Sequence, residues 1–126
     1  MNTANALTGR LVLVVEDQFA VALDLCEGLD REGASVVGPA SSVEDALQML
    51  ESSARPDVAV LDIQLRGGLV YPVADRLEEL GVPYVFTSAC EENEIPEHYR
   101  RAPRFDKPTR LSSIIDAIRE QVRPSM

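Results

Sequence analysis

The sequence predicts an α/β fold in which a five-stranded parallel sheet carries helices on both faces. Three observations support this prediction. Short apolar runs alternate with stretches of helical periodicity along the 126 residues. The first and third runs, LVLVV and VAVL, are apolar at every position, as in strands that are covered on both faces. A helix between successive strands indicates parallel strands joined by right-handed crossovers.

The length and composition fit one compact domain. A chain of 126 residues with 45% apolar content can bury one hydrophobic core and has no room for a second domain. We expect the core to span about residues 10–122.

The first two strands are bounded by clear signals. Leu11–Val15 is the first strand, and the helix Gln18–Glu32 follows, with apolar residues on one face until Gly33 ends it. Ser35–Val37 is a short second strand, which Gly38-Pro39 is expected to break.

The middle of the chain supplies two helices and the third strand. Ser41 or Ser42 caps a helix with an acid three residues on. Asp57–Leu61 is the third strand, and Gly67-Gly68 forms a loop before the next helix. The inward faces of these two helices are Val43, Ala46, Leu47 and Leu50, and then Val73, Leu77 and Leu80.

The last part of the chain is less regular. Tyr84–Thr87 is the fourth strand, and the acidic stretch after it has poor periodicity, with Pro96 as the start of a short helix. Arg104–Asp106 is a brief fifth strand, and Thr109 caps a final helix. Its inward face is Leu111, Ile114, Ile115, Ile118 and Val122.

The composition argues against several classes of protein. A net charge of -9 disfavours sequence-independent binding to nucleic acid, which depends on Lys and Arg. No window approaches the roughly 20 apolar residues of a membrane helix, and we expect a cytoplasmic protein without a membrane partner. Cys26 and Cys90 form neither a disulfide framework nor a metal-binding spacing.

Polar residues follow four of the predicted strands. Glu16 and Asp17 follow the first strand, Asp62 the third, Ser88 the fourth, and Lys107 the fifth. Ligands of open α/β sheets bind at the carboxyl ends of the strands. We therefore expect these five residues to converge on one edge of the sheet.

These residues suit phosphoryl transfer to a carboxylate. Two carboxylates about 4 Å apart repel by roughly 4 kcal/mol at an effective dielectric near 20, so the adjacent acids call for a cation. Carboxylates are ligands for Mg²⁺, and three carboxylates, Mg²⁺ and Lys107 sum to zero formal charge. Asp62 stands alone after its strand and is the better nucleophile, and its product would be an aspartyl phosphate.

Four motifs together resemble the receiver domain of two-component response regulators. They are LVVED for the paired acids, VAVLD for the phosphoacceptor, PYVFTSA for the switch hydroxyl and FDKP for the lysine. The resemblance covers Leu11 to Val122 and implies the flavodoxin-like doubly wound fold with strand order 2-1-3-4-5. The segments GGLVYPVAD and PYVFTSAC look closest to stand-alone receivers of alphaproteobacteria.

The resemblance also implies roles for individual residues. Asp62 would be the phosphoacceptor, with Lys107 and Ser88 as its catalytic neighbours. Ser88 is selected because it precedes Ala89, five residues after a Pro, and the adjacent Thr87 is the alternative. Mg²⁺ would be held by Glu16, Asp17, Asp62 and the backbone carbonyl of Gln64.

A single-domain response regulator is the function that the resemblance implies. A sensor histidine kinase or a histidine phosphotransfer protein would phosphorylate Asp62, and the protein would catalyse only its own phosphorylation and dephosphorylation. With no output domain expected, the signal would pass by contact with a downstream protein, or the protein would be a phosphate sink or a relay intermediate. A monomer or a weak homodimer across the last helix is expected.

Two departures from the family pattern stand out. Arg66 occupies a position where many receivers have Pro, after the phosphoacceptor. Arg104 occupies the position where many carry a Tyr or Phe that moves on activation. Because an unpaired buried charge is costly, we expect the guanidinium of Arg104 to stay on the surface and to point away from Lys107.

Other interpretations explain fewer of these features. Glu16 and Asp17 could merely cap the first helix. A dehalogenase-type phosphatase would need a second acid where Gln64 stands, and a nucleotide-binding module would need a glycine-rich turn after the first strand. The main alternative is a degenerate receiver that acts as an unphosphorylated docking module.

Overall fold

The computed structural model describes residues 7–89, 91–107 and 110–122 as a parallel sheet flanked by helices. The strands are β1 (Leu11–Val15), β2 (Ser35–Ala40), β3 (Val58–Asp62), β4 (Gln64–Leu65), β5 (Gly68–Leu69), β6 (Tyr84–Ser88) and β7 (Arg104–Asp106). The helices are α1 (Phe19–Arg31), α2 (Val43–Ser52), α3 (Tyr71–Leu80) and α4 (Leu111–Val122). Among the described helices, none is both long enough and apolar enough to cross a membrane.

The main sheet has the order β2-β1-β3-β6-β7, and each neighbouring pair is parallel. Since β6 and β7 are its fourth and fifth strands in chain order, the predicted order 2-1-3-4-5 is confirmed. The antiparallel pair of β4 and β5 stands apart from this sheet as a small hairpin. The sequence predicted only a loop at Gly67-Gly68.

Two apolar layers enclose the sheet, because side chains alternate between the faces of a strand. Leu61 and Phe86 pack with α2 and α3 on one face, whereas Val60 and Val85 pack with α1 and α4 on the other. Burying each such side chain stabilises the fold by roughly 1.5–3 kcal/mol. Gly28 of α1 lies directly beneath Leu111, and a Cβ there would come within 2.4 Å of it, so this glycine lets α1 and α4 approach closely.

The second strand is longer than the sequence predicted. It continues through Gly38-Pro39, whose peptide bond is cis, to Ala40. The register of the pairing with β1 shifts by one residue between Leu13 and Val15. This shift, of the kind seen at a β-bulge, accommodates the extra residue of β2. The predicted break was wrong because β2 is an edge strand, and an edge tolerates a proline.

The connection from β6 to β7 contains no α-helix in its described residues. Two 3₁₀ turns, Glu92–Glu94 and Glu97–Arg101, take its place, and Pro96 precedes the second of them as predicted. The helix expected after the fourth strand is therefore present only as short 3₁₀ turns. The acidic stretch has too few apolar residues at helical spacing to form an amphipathic helix.

The remaining boundaries differ by one or two residues. Ser42 rather than Ser41 caps α2, since its hydroxyl accepts a hydrogen bond of 3.1 Å from the backbone N–H of Asp45. On α4, Ile114, Ile115 and Ile118 are buried as predicted. The predicted cap Thr109, together with Cys90 and Pro108, lies outside the described residues.

Candidate functional site

The carboxyl ends of β1, β3 and β7 bring four charged residues together. Glu16 follows β1, Asp62 is the last residue of β3, and Lys107 follows β7. The ammonium of Lys107 lies 2.9 Å from Oε1 of Glu16 and 3.0 Å from Oδ2 of Asp62. Glu16, Asp17 and Asp62 each offer a carboxylate oxygen, and these oxygens lie within 4.8 Å of one another.

Burial makes it costly to keep these carboxylates charged. Glu16 and Asp62 are each only 4% exposed, whereas Asp17 is half-buried. Burial, together with the charge of Glu16, raises the pKa of Asp62 to about 6, although Lys107 opposes the shift. Burial alone would lower the pKa of Lys107, but its hydrogen bonds to Glu16 and Asp62 raise it. The lysine therefore stays protonated and compensates one of three negative charges.

The donor set fits a hard divalent cation. After Lys107 is counted, the three carboxylates carry a formal excess of two negative charges. Magnesium accepts carboxylate oxygens and retains several waters, which suits a group of acids that is open to solvent on the side of Asp17. Glu16, Asp17 and Asp62 are thus suited to hold Mg²⁺.

Backbone N–H groups orient the acids. Gln18 donates to Oε2 of Glu16 at 3.0 Å, Gln64 donates to Oδ1 of Asp62 at 3.3 Å, and Arg66 donates to Oδ2 of Asp17 at 2.8 Å. Glu16 therefore bonds to the residue before α1, and the first turn of α1 contains no acid. Simple capping of α1 does not account for the acid pair.

Sequence reasoning missed these donors, because any residue except proline offers a backbone N–H. Two of these donors belong to the β4–β5 hairpin, where the sequence showed only that Arg66 departs from the family pattern.

Two hydroxyl groups end β6. Thr87 pairs in register with Asp62 and therefore lies on the same face of the sheet. Thr87, Glu16 and Lys107 line a cleft of about 580 Å³ that continues between α1 and α4. Ser88 is fully buried one residue nearer the carboxyl edge. Both residues thus stand at the carboxyl end of β6, at the edge of the sheet where Asp62 ends β3.

Arg104 lies on the opposite face from Lys107. It pairs in register with Phe86, and its guanidinium contacts Asp106 directly and Glu92 at 3.8 Å. Its side chain is half-buried, and the two acids that it contacts are themselves largely exposed, so the expected place of the guanidinium at the surface stays a prediction. The two acids compensate its charge within the chain.

No model of a protein family matches the chain, but individual relatives do. It is 30% identical over 124 residues to the transcriptional regulatory protein PdtaR of Mycobacterium tuberculosis, with 91% of the chain and 58% of PdtaR covered. The phyllosphere-induced regulator PhyR of Methylorubrum extorquens is 30% identical over 110 residues, with 82% of the chain and 41% of PhyR covered. The chain thus spans roughly half the length of these curated relatives.

Solved structures of similar length also match. SdrG from Sphingomonas melonis Fr1 is 30% identical with a TM-score of 0.69, over 93% of the chain and 98% of SdrG. A response regulator receiver protein from Sinorhizobium medicae WSM419 is 25% identical with a TM-score of 0.77, over 90% of the chain and 94% of that protein.

Proposed function

Because the chain belongs to the receiver domains of response regulators, we propose that Asp62 accepts a phosphoryl group from a phosphohistidine in a reaction that requires Mg²⁺. The donor would be a sensor histidine kinase or a histidine phosphotransfer protein. Proteins of this family are signalling proteins rather than classical enzymes. The observation that carries the proposal is the position of Asp62, at the end of β3 and 3.0 Å from the ammonium of Lys107.

The chemical step needs a carboxylate oxygen and charge compensation. An oxygen of Asp62 attacks phosphorus, the P–N bond breaks, and its electron pair returns to the imidazole nitrogen of the donor. Lys107 stabilises negative charge on the transferred phosphoryl oxygens from its place between Glu16 and Asp62. Mg²⁺, when bound, supplies further charge neutralisation at the same oxygens.

The cation would be held by Glu16, Asp17, Asp62 and the carbonyl of Gln64. In an extended strand the N–H and C=O of one residue point to the same side. The N–H of Gln64 is directed at Asp62, which supports a carbonyl on the same side. For the hydroxyl we propose Ser88, which precedes Ala89 as in the family pattern, and Thr87 is the alternative.

Phosphorylation is tested with acetyl phosphate and intact-mass measurement. The parent protein should gain one phosphoryl group with Mg²⁺ present and none with excess EDTA. Asp62→Asn should abolish the gain, whereas the matched control Asp30→Asn, on the exposed side of α1, should retain it. The same assay on Ser88→Ala and Thr87→Ala identifies the hydroxyl that the reaction needs. Undiminished labelling of Asp62→Asn would refute the assignment.

The output of the domain is also a proposal. We propose that phosphorylation changes its contacts with a downstream protein, or that it serves as a phosphate sink or relay intermediate, as a monomer or weak homodimer. SdrG has also been solved in a BeF₃-activated conformation, which supports a pull-down with this protein in beryllofluoride. A degenerate docking module would bind the same partners with and without beryllofluoride.

A further inference from the structure

The hairpin of β4 and β5 begins two residues after Asp62 and lies against the acids. Two backbone N–H groups of the hairpin bond to them: that of Gln64, in β4, bonds to Asp62, and that of Arg66, in the turn after β4, bonds to Asp17. These donors flank Leu65, which pairs with Gly68 of β5.

Asp17 has a different environment from the other two acids. Lys107 contacts Glu16 and Asp62, and no salt bridge to Asp17 occurs among residues 7–89, 91–107 and 110–122. Repulsion from its neighbours favours rotation of this half-buried side chain towards solvent. Within the described chain, the hydrogen bond that opposes this rotation comes from the N–H of Arg66, 2.8 Å from Oδ2.

The turn of the hairpin fixes the direction of that N–H. Leu65 pairs with Gly68, so Arg66 and Gly67 form a two-residue turn. Gly67 has a φ of 90°, and Arg66 has a negative φ, which is the sign pattern of a type II turn. Such a turn favours glycine at its second central position and accepts proline at its first.

We propose that the β4–β5 hairpin positions the cation site, with the Arg66 backbone N–H holding Asp17 among the acids before the cation arrives. The inference rests on the proposed Mg²⁺ site and adds to it a positioning role for Arg66. This role belongs to the backbone. It is therefore lost where proline replaces Arg66, although the turn itself is kept.

The test compares two substitutions at one position by calorimetric titration with Mg²⁺. Arg66→Pro removes the N–H, suits the turn, and should weaken Mg²⁺ binding about fivefold, the typical effect of one hydrogen bond. Arg66→Ala keeps the N–H and removes a nearby positive charge, so it should bind Mg²⁺ at least as tightly as the parent. Asp17→Asn is the reference for loss of the ligand itself.

A second pair of substitutions, in the same turn, tests whether any loss of Mg²⁺ binding comes from a folding defect instead. Gly67→Ala strains a residue at positive φ, whereas Gly68→Ala meets open space at an ordinary φ. Only the former should weaken Mg²⁺ binding, and melting without Mg²⁺ should show both proteins folded.

The outcomes separate the two proposals. Suppose that the parent binds Mg²⁺ and that Asp17→Asn weakens this binding. If Arg66→Pro and Arg66→Ala then have equal Mg²⁺ affinities, the hairpin inference is wrong and the Mg²⁺ site stands. If Arg66→Pro binds more tightly than Arg66→Ala, the N–H competes with the cation and the inference is again overturned. If the parent does not bind Mg²⁺, the proposed function itself fails.

Discussion

Lys107 carries the positive charge that the buried carboxylates of Glu16 and Asp62 share. Both acids are nearly inaccessible, while the lysine side chain is 20% exposed. Taking charges out of water is expensive, and such a group is tolerated only while its charges compensate one another. The stability of the fold is therefore linked to the chemistry of the site through this one residue.

Replacing Lys107 should destabilise the protein in a way that Mg²⁺ reverses. Lys107→Met leaves two buried carboxylates without a counter-charge. It should lower the free energy of unfolding by about 2–3 kcal/mol, less than for a fully buried ion pair because the lysine side chain is partly exposed. Saturating Mg²⁺ should restore much of this loss. Urea unfolding with and without Mg²⁺ measures both values. An equal loss in the two conditions would place the cation elsewhere.

The sequence predicted which side chains would meet, because a residue that ends a parallel strand has a definite position in the sheet. Glu16, Asp62 and Lys107 lie where the strand ends require, and their proposed roles in phosphorylation stay predictions. The bond from the Arg66 N–H could not be predicted, since it depends on the path of a turn. The pairing of Arg104 with Glu92 could not be predicted either, because Glu92 lies in a 3₁₀ turn that the hydrophobic periodicity did not reveal.

At the scale of elements, side chains tie the 3₁₀ turn Glu97–Arg101 to α3. The hydroxyl of Tyr99 donates to Asp75 at 2.6 Å, and its ring stacks on Tyr71 with centroids 4.4 Å apart. Glu78 accepts a hydrogen bond from Tyr84 and contacts His98 at 2.8 Å. The bond from Tyr84 is the main reason that the pKa of Glu78 is lowered. These contacts replace the packing that an amphipathic helix would provide.

Two substitutions of Tyr99 should separate its hydrogen bond from its stacking. Tyr99→Phe loses only the bond to Asp75 and should cost about 0.5–1.5 kcal/mol of unfolding free energy. Tyr99→Ala also loses the stack on Tyr71 and should cost about 3 kcal/mol. Urea denaturation gives both values. Similar losses for the two variants would mean that the ring contributes little.

Such tethers explain why this connection was the least predictable element. His98 and Glu78 are 20 residues apart in sequence, and Tyr99 and Asp75 are 24 apart, so no local sequence pattern predicts these contacts. By contrast, the N-cap of α2 depends on a contact between residues three apart in sequence. The sequence therefore limited the capping residue to one of two serines, Ser41 or Ser42. Local signals thus predict helix starts well, whereas the end of β2 depends on whether that strand lies at the edge of the sheet.

At the scale of the molecule, the acids at the carboxyl edge of the sheet lie beside the N-terminal end of α1, which exposes apolar side chains. Phe19 is 80% exposed and follows Asp17 by two residues, and Leu23 is exposed one turn further along. Under the proposed function, a protein donor would bring its phosphohistidine to Asp62, and the surface of that donor would then come close to this end of α1. An exposed aromatic side chain there suits such a contact.

Phe19 should therefore matter for a protein donor and not for a small one. Phe19→Ala should slow phosphoryl transfer from the cognate phosphohistidine protein about tenfold, as loss of an aromatic contact does. Its labelling by acetyl phosphate should match that of the parent. Rapid-quench kinetics with both donors measures the ratio. Equal slowing with both donors would place Phe19 in the chemistry instead.

Topology was the most predictable property of the whole molecule. Continuous apolar strands separated by helices restrict the chain to a parallel sheet, and the family resemblance supplied its order. What remained open was the course of the chain around Gly67, where a tight backbone turn decides it, and after Ser88, where side-chain contacts hold short 3₁₀ turns.

The sheet also determines how far Lys107 has to reach. Its strand β7 is two places from β3 and three from β1, a lateral distance of roughly 10–14 Å at the usual strand spacing. The side chains of Lys107, Glu16 and Asp62 together span that distance, and the backbone N–H of Lys107 is bonded to the carbonyl of Ser88 at 2.8 Å. The end of β6 is thus the anchor point of the lysine. A displacement there would be transmitted to the acids as a change in the lateral reach of one side chain.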